Sequence, residues 1–164
     1  MHMVTSSLFL PSLIAYLTPR SQIILLRGYL HTVLLWWVMR GRPVPNIKAF
    51  MTTTLVQPSV PTTPAAGTSP STETTPTPNP FLPIIQSAIT HPNDHLSKIQ
   101  RAFAHFDTIY GRRPAGYFGS TELADAALLD GSMFLRAALL TMDSVGWVRE
   151  GKEAKPFDMK GFYD

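Results

Sequence analysis

The stretch AITHPNDHLSKIQRAFAHF, residues 88–106, decides how this chain is read. It holds three of the five histidines, and together with Lys98 they recur at positions 91, 95, 98 and 105. At about 100° per residue, Leu96, Ile99, Phe103, Phe106 and Tyr110 fall within one arc of roughly 80°. That is the apolar stripe of a helix lying on a core. His91, His95, Lys98 and His105 fall within an adjoining arc of similar width, and Asp94, Ser97, Arg101, Ala104 and Thr108 take much of the outer face. The pattern predicts an amphipathic helix with imidazoles along the edge of its core face. Pro92 favours helix initiation, which puts His91 at the cap position.

Two imidazoles one turn apart, His91 and His95, can converge on one ion, and a group at i+7 reaches the same side. The competing reading is of boundary histidines hydrogen-bonded to backbone or to Asp94 and Asp107. An H-x3-H pair without a third ligand is a weak signal, so spacing leaves both open. Lys98 is the odd member of the row, because an ammonium repels a cation. Either it is a surface lysine or its charge is removed; reaction with carbon dioxide gives a carbamate, a hard oxygen ligand suited to iron or manganese.

On the N-terminal side, MTTTLVQPSVPTTPAAGTSPSTETTPTPNP, residues 51–80, holds ten Thr, seven Pro and one charge. Such a composition buries too little apolar area to offset chain entropy, and it reads as a disordered linker. Before it, residues 1–50 carry Arg20, Arg27, Arg40, Arg42 and Lys48 and no acid, whereas residues 81–164 carry nine basic and ten acidic groups. The basic balance therefore belongs to the N-terminal third. No nucleic-acid-binding module accompanies it. The absence of cysteine excludes a disulfide framework and thiolate metal sites and agrees with a reducing, cytoplasmic compartment.

SQIILLRGYLHTVLLWWVM, residues 21–39, is long enough to span a bilayer. Arg27 and His31 interrupt it near the middle, where an arginine costs roughly 3 kcal/mol on insertion scales. A buried core helix is the expectation, with His31 a satisfied core histidine and a membrane role disfavoured. Two helices, at about 7–17 and 21–39, are expected to meet at TPRS, with Pro19 ending one and Ser21 capping the next. Gly41 and Pro43 end the second.

On the C-terminal side the sequence predicts a short helix near 121–129 and an amphipathic helix near 132–144, with a buried Arg136–Glu122 pair as one option. Trp147, Phe157 and Phe162 are candidates to seal the core or to line a flat aromatic pocket. The fold expected is all-α: an N-terminal helical segment (1–50), the linker (51–80) and a helical C-terminal block (81–164). No GxGxxG, P-loop or GxSxG occurs.

Several segments carry a family resemblance: HPNDHLSKIQRAFAHF, TELADAALLDGSMFLRAALLTMDSVGWVREG, the terminal FDMKGFYD and, upstream, LLRGYLHTVLLWWVMRGRPVPNI. They resemble the C-terminal half, and the segment before it, of the questin oxidase-like proteins, fungal enzymes that open the ring of anthraquinones and related polyketides. The resemblance implies a helical fold and oxygen-dependent ring cleavage of Baeyer–Villiger outcome on an aromatic polyketide. In some members it implies reduced nicotinamide (NADPH), in others non-heme iron, Fe(II), held by histidines and a carbamylated lysine. Carried over, the positions that match are His91, His95 and Lys98. Family members also carry a histidine-rich stretch, HNH…HH, in an N-terminal half that has no counterpart here. The chain thus reads as truncated or degenerate, with a partner chain supplying the missing half. Two expectations follow: an oxygenase of fungal secondary metabolism, or a non-catalytic helical remnant or small membrane-associated protein.

Overall fold

Pro92 divides the histidine stretch. A proline disfavours the α region for the residue before it, and His91 is extended (φ −74°, ψ 136°), ending the helix that runs through Phe81–Thr90. Asn93 then caps the next helix, its side-chain oxygen accepting the His95 N–H at 3.0 Å. The computed structural model describes residues 1–55, 57 and 79–157. Every regular element among them is helical, as expected: α1 (His2–Ser7), α2 (Leu10–Ile14), α3 (Pro19–Met39), α4 (Ile47–Thr52), α5 (Phe81–Thr90), α6 (Asp94–Tyr110) and α7 (Met133–Val145), with 3₁₀ turns at Ala126–Leu128 and Val148–Glu150. Of the Thr/Pro-rich stretch, residues 56 and 58–78 lie outside the described residues.

The chain forms two units, one containing Met1–Asn46 and the other spanning Ile47–Phe157. In the second, α6 lies against both α5 and α7, and α5 also meets the Val148–Glu150 turn. Leu96 and Ile99 of the apolar stripe are buried with Ile84, Ala138, Met142 and Val145. Phe103, Phe106 and Tyr110, further along the same stripe, are only half-buried. The core is thus tight at the N-terminal end of α6 and loosens towards its C-terminus.

Buried polar pairs supplement this core. Ser87 Oγ donates to Glu150 Oε2 at 2.7 Å, tying α5 to the Val148–Glu150 turn. Gln100 Nε2 donates to the Ala138 carbonyl at 2.9 Å, while its Oε1 finds no partner. At the other end, Gly131 N donates to the Arg113 carbonyl. A Cβ on Gly131 would lie 2.2 Å from the Gly111 carbonyl oxygen, so glycine is what lets the turn before α7 touch the end of α6.

Two expectations for the C-terminal block need correction. Residues 121–129 form only the short 3₁₀ turn. Arg136 pairs with no acid among the described residues; its Nη1 donates to the Thr53 carbonyl at 2.9 Å, satisfying a carbonyl just past the end of α4, where a cation complements the helix dipole. That contact, and the packing of α4 on α7, tie Ile47–Thr52 to the second unit.

In the first unit Thr18, not Ser21, caps α3: its hydroxyl accepts the Ser21 N–H, and Pro19 opens the helix at a position whose missing N–H costs nothing. The helix closes as expected at Gly41 (φ 80°), with Arg42 N donating to Trp37 O and Gly41 N to Val38 O, a Schellman arrangement. Tyr29 Oη donates to the Met3 carbonyl, and Gln22 Nε2 donates to the carbonyls of Ile14 and Leu17, so one side of α3 rests on the chain before it. The rest of α3 is open. No residue of α3 is buried, against the expectation of a core helix, and His31 is exposed. By length and composition α3 is able to cross a membrane (mean hydropathy 1.3).

Candidate functional site

His91 is buried at the junction of α5 and α6, and both of its ring nitrogens are engaged. Nδ1 accepts the backbone N–H of Asn93 at 3.1 Å, and Nε2 lies 3.1 Å from the Val145 carbonyl oxygen at the end of α7. An Nδ1 that accepts carries no proton, so the hydrogen-bond pattern assigns the proton to Nε2, which donates to Val145. The ring is a staple between the α5–α6 turn and α7.

His95 and Lys98 lie on the exposed side of α6 and share one carboxylate. His95 Nδ1 is 2.9 Å from Asp94 Oδ1, and Lys98 Nζ is 2.7 Å from Asp94 Oδ2. The hydrogen bond from Lys98 holds the Asp94 carboxyl below the usual aspartate range; desolvation opposes it, and the charges of Lys98 and His95 with the His95 hydrogen bond add to the lowering. His105 is exposed, its ring set edge-on to Phe106. The row read on the helical wheel is thus split: His91 belongs to the turn, and His95 and Lys98 belong to Asp94.

This arrangement does not fit iron held by His91, His95 and a carbamylated Lys98. A ligating imidazole needs a free lone pair, and in His91 one nitrogen is protonated and the other already accepts. Lys98 Nζ is engaged by the Asp94 carboxylate at 2.7 Å. Among the described residues no three His, Asp or Glu side chains gather as a metal site would require.

An open cleft of about 400 Å³ lies over this junction, lined by His91, Pro92, Asn93, Asp94, Ala154, Lys155 and Pro156. Its walls carry one anion, Asp94, and one cation, Lys155. Lys155 N donates to the same Val145 carbonyl that His91 holds, so the segment 154–156 is strapped to α7 beside the imidazole.

Half-buried aromatic rings collect at the far end of α6. Phe134 lies 6.0 Å from both Phe106 and Tyr110, nearly parallel to the latter, and Phe118 meets Tyr110 edge-on at 6.3 Å. The Arg113 guanidinium sits 4.5 Å from the ring centre of Tyr117. Of the aromatic candidates read from sequence, Trp147 is buried with its Nε1 donating to Asp143 Oδ1 at 2.6 Å, which makes it a core residue. Phe157 is half-buried, and Phe162 lies outside the described residues. Sequence reasoning assigned Phe106 and Tyr110 to the core; their partial exposure depends on what α6 meets, which spacing does not reveal.

The state of Asp94 is open to measurement. Its folded-state pKa is depressed, so its pairs stabilise the fold above the unfolded-state pKa, and that contribution is lost as pH falls through the lower folded value. An NMR titration of the Asp94 carboxyl carbon is expected to show a midpoint below that of an ordinary aspartate, moving back up in Lys98→Met. A midpoint unmoved by Lys98→Met would show that the pair does not form. Because the pair is solvent-exposed, the melting temperature of the variant should hardly change.

The family model described as Questin oxidase-like matches residues 1–103. The match takes in LLRGYLHTVLLWWVMRGRPVPNI, the Thr/Pro-rich stretch and HPNDHLSKIQRAF, and it stops before TELADAALLDGSMFLRAALLTMDSV. Comparison with curated proteins and with solved structures finds no match.

Proposed function

The chain belongs to the questin oxidase-like family of oxidoreductases, and on that premise we propose that it takes part in the oxygen-dependent ring cleavage of an anthraquinone-like polyketide in fungal secondary metabolism. The observation that carries the reading is the family match across residues 1–103, which includes His91, His95 and Lys98. In a Baeyer–Villiger outcome one atom of dioxygen enters between a ring carbonyl and its neighbour: a C–C bond breaks, two C–O bonds form, and the product is a lactone. The second oxygen atom leaves as water, taking two electrons from reduced nicotinamide, a hydride's worth, together with protons. Because the donor set does not fit iron, no step is assigned to a metal. What this chain's residues contribute is position: the half-exposed rings of Phe106, Tyr110 and Phe134 offer planar faces on which a fused aromatic substrate stacks. A cytoplasmic location belongs to the same proposal.

The test is to incubate the full chain with an anthraquinone, NADPH and ¹⁸O₂ and to analyse the products by mass spectrometry. One ¹⁸O atom in a ring-opened or lactone product is the expected result. No product, or product carrying oxygen from water alone, overturns the proposal. The second reading, a non-catalytic helical remnant, is favoured by His91, whose ring nitrogens are both spent inside the fold. It predicts the absence of labelled product.

A further inference from the structure

The free side of α3 is patterned. At about 100° per residue, Gln22, Leu25, Tyr29 and Val33 form the half-buried side. Nearly opposite, Arg20, Arg27 and His31 fall within about 40° of one another. Their separations of seven and four residues correspond to about 10 Å and 6 Å along the axis. All three are exposed, and none has a carboxylate partner among the described residues. Apolar rows flank this polar line. Ile23, Leu30 and Leu34 run along one side and Ile24 and Leu35 along the other, with exposures from 46% to 62%. An exposed apolar surface of this kind marks an interaction site.

Charge selects the occupant. Residues 1–50 contain no acid, so a second copy of α3 would set the arginines of this line against identical ones. A bilayer covers the apolar rows but would bury Arg27 and His31, midway along the helix, among hydrocarbon that offers them no counter-charge, at roughly 3 kcal/mol for the arginine. An acidic amphipathic helix satisfies both features, because carboxylates four and seven residues apart face the two guanidiniums and accept the ring N–H of His31, while leucine-type side chains cover the rows. We propose that the exposed face of α3 docks an acidic amphipathic helix of a partner protein. The complementarity is specific in spacing, and since a 4-then-7 pattern reads as 7-then-4 from the other end, either helix direction has a matching register.

The test uses the full chain and two synthetic helical peptides, one with glutamates at that spacing on a leucine face and one with each Glu→Gln. Vesicles of phosphatidylglycerol and phosphatidylcholine form the third arm. Saturable one-to-one binding of the glutamate peptide is expected, weakened about tenfold by Arg27→Gln, the size of one charge-assisted hydrogen bond, and further by the glutamine peptide, which loses all three carboxylates. Arg27→Glu should lose the glutamate peptide and gain one bearing lysine at the facing position. Circular dichroism checks that α3 persists in each variant. The proposal is overturned if the two peptides bind alike, if neither binds, if the vesicles bind while the peptide does not, or if sedimentation shows that the chain covers this face by self-association.

Discussion

Replacing Gly146 with alanine should cost the Ile47–Phe157 unit at least about 3 kcal/mol, measured by urea unfolding of the full chain followed by circular dichroism. Gly146 has φ 97° and ψ 134°, a region that L-residues occupy only under strain of about 1–3 kcal/mol. The added Cβ would lie 2.0 Å from the Glu153 carbonyl oxygen and 3.6 Å from the Ala154 Cα, so backbone has to move as well. The segment that would be displaced is the one held by Lys155 N to the Val145 carbonyl at 2.7 Å and by Lys152 N to the Trp147 carbonyl at 3.0 Å. Each of those bonds contributes about 1 kcal/mol. Ala154, Lys155 and Pro156 form one wall of the cleft above His91, so the same change opens the cleft. A variant as stable as the parent would show that residues 152–156 do not lie against the end of α7.

Much of this fold was legible because local chemistry and tertiary structure agree. The stripe from Leu96 to Tyr110 made α6 readable, and Gly41 marked the end of α3. Other features have no local signature. Pro92 signals a helix start, and α6 does begin just after it; yet its stronger effect is on the residue before it, and that effect takes His91 off the α6 wheel and turns its ring towards Val145. Glu150 lies in the aromatic segment GWVREGK with no periodicity to mark it as buried, and its partner Ser87 is sixty-three positions away. Gln100 sits beside the apolar stripe, where a polar residue reads as surface until α7 closes over it. For α3 the failure is of another kind. Hydropathy shows that a helix needs covering, but the covering belongs to whatever meets it, and here the described residues supply it on one side only. The partners of the imidazole row were illegible for a comparable reason, since helical spacing fixes where a Cβ points and leaves open which carbonyl or carboxylate takes the ring.

For His91 the expected result is a loss of stability without any metal. His91→Leu, unfolded in urea in the presence of a chelator, should lose about 2–4 kcal/mol. The side chain is buried and satisfies two backbone groups of different elements. Leucine fills the space with comparable volume but neither accepts nor donates, so the Asn93 N–H is left without the nitrogen it bonds, at about 1–3 kcal/mol. The Val145 carbonyl keeps its bond from Lys155 N and suffers less, which holds the total below the sum of two orphaned groups. A ligand histidine behaves in the opposite way. Removing it relieves the apo protein or leaves it unchanged, and its importance appears only as stabilisation by the added ion, since an ion binding the folded state alone raises stability with its concentration. Ferrous iron added anaerobically should therefore leave the parent's melting temperature where it was, with His91→Leu lower by the same margin whether or not iron is present. If the variant instead matches the parent in chelator, and iron stabilises the parent but not the variant, the imidazole is a metal ligand, and the staple drawn between Asn93 and Val145 is a resting conformation that the ion displaces.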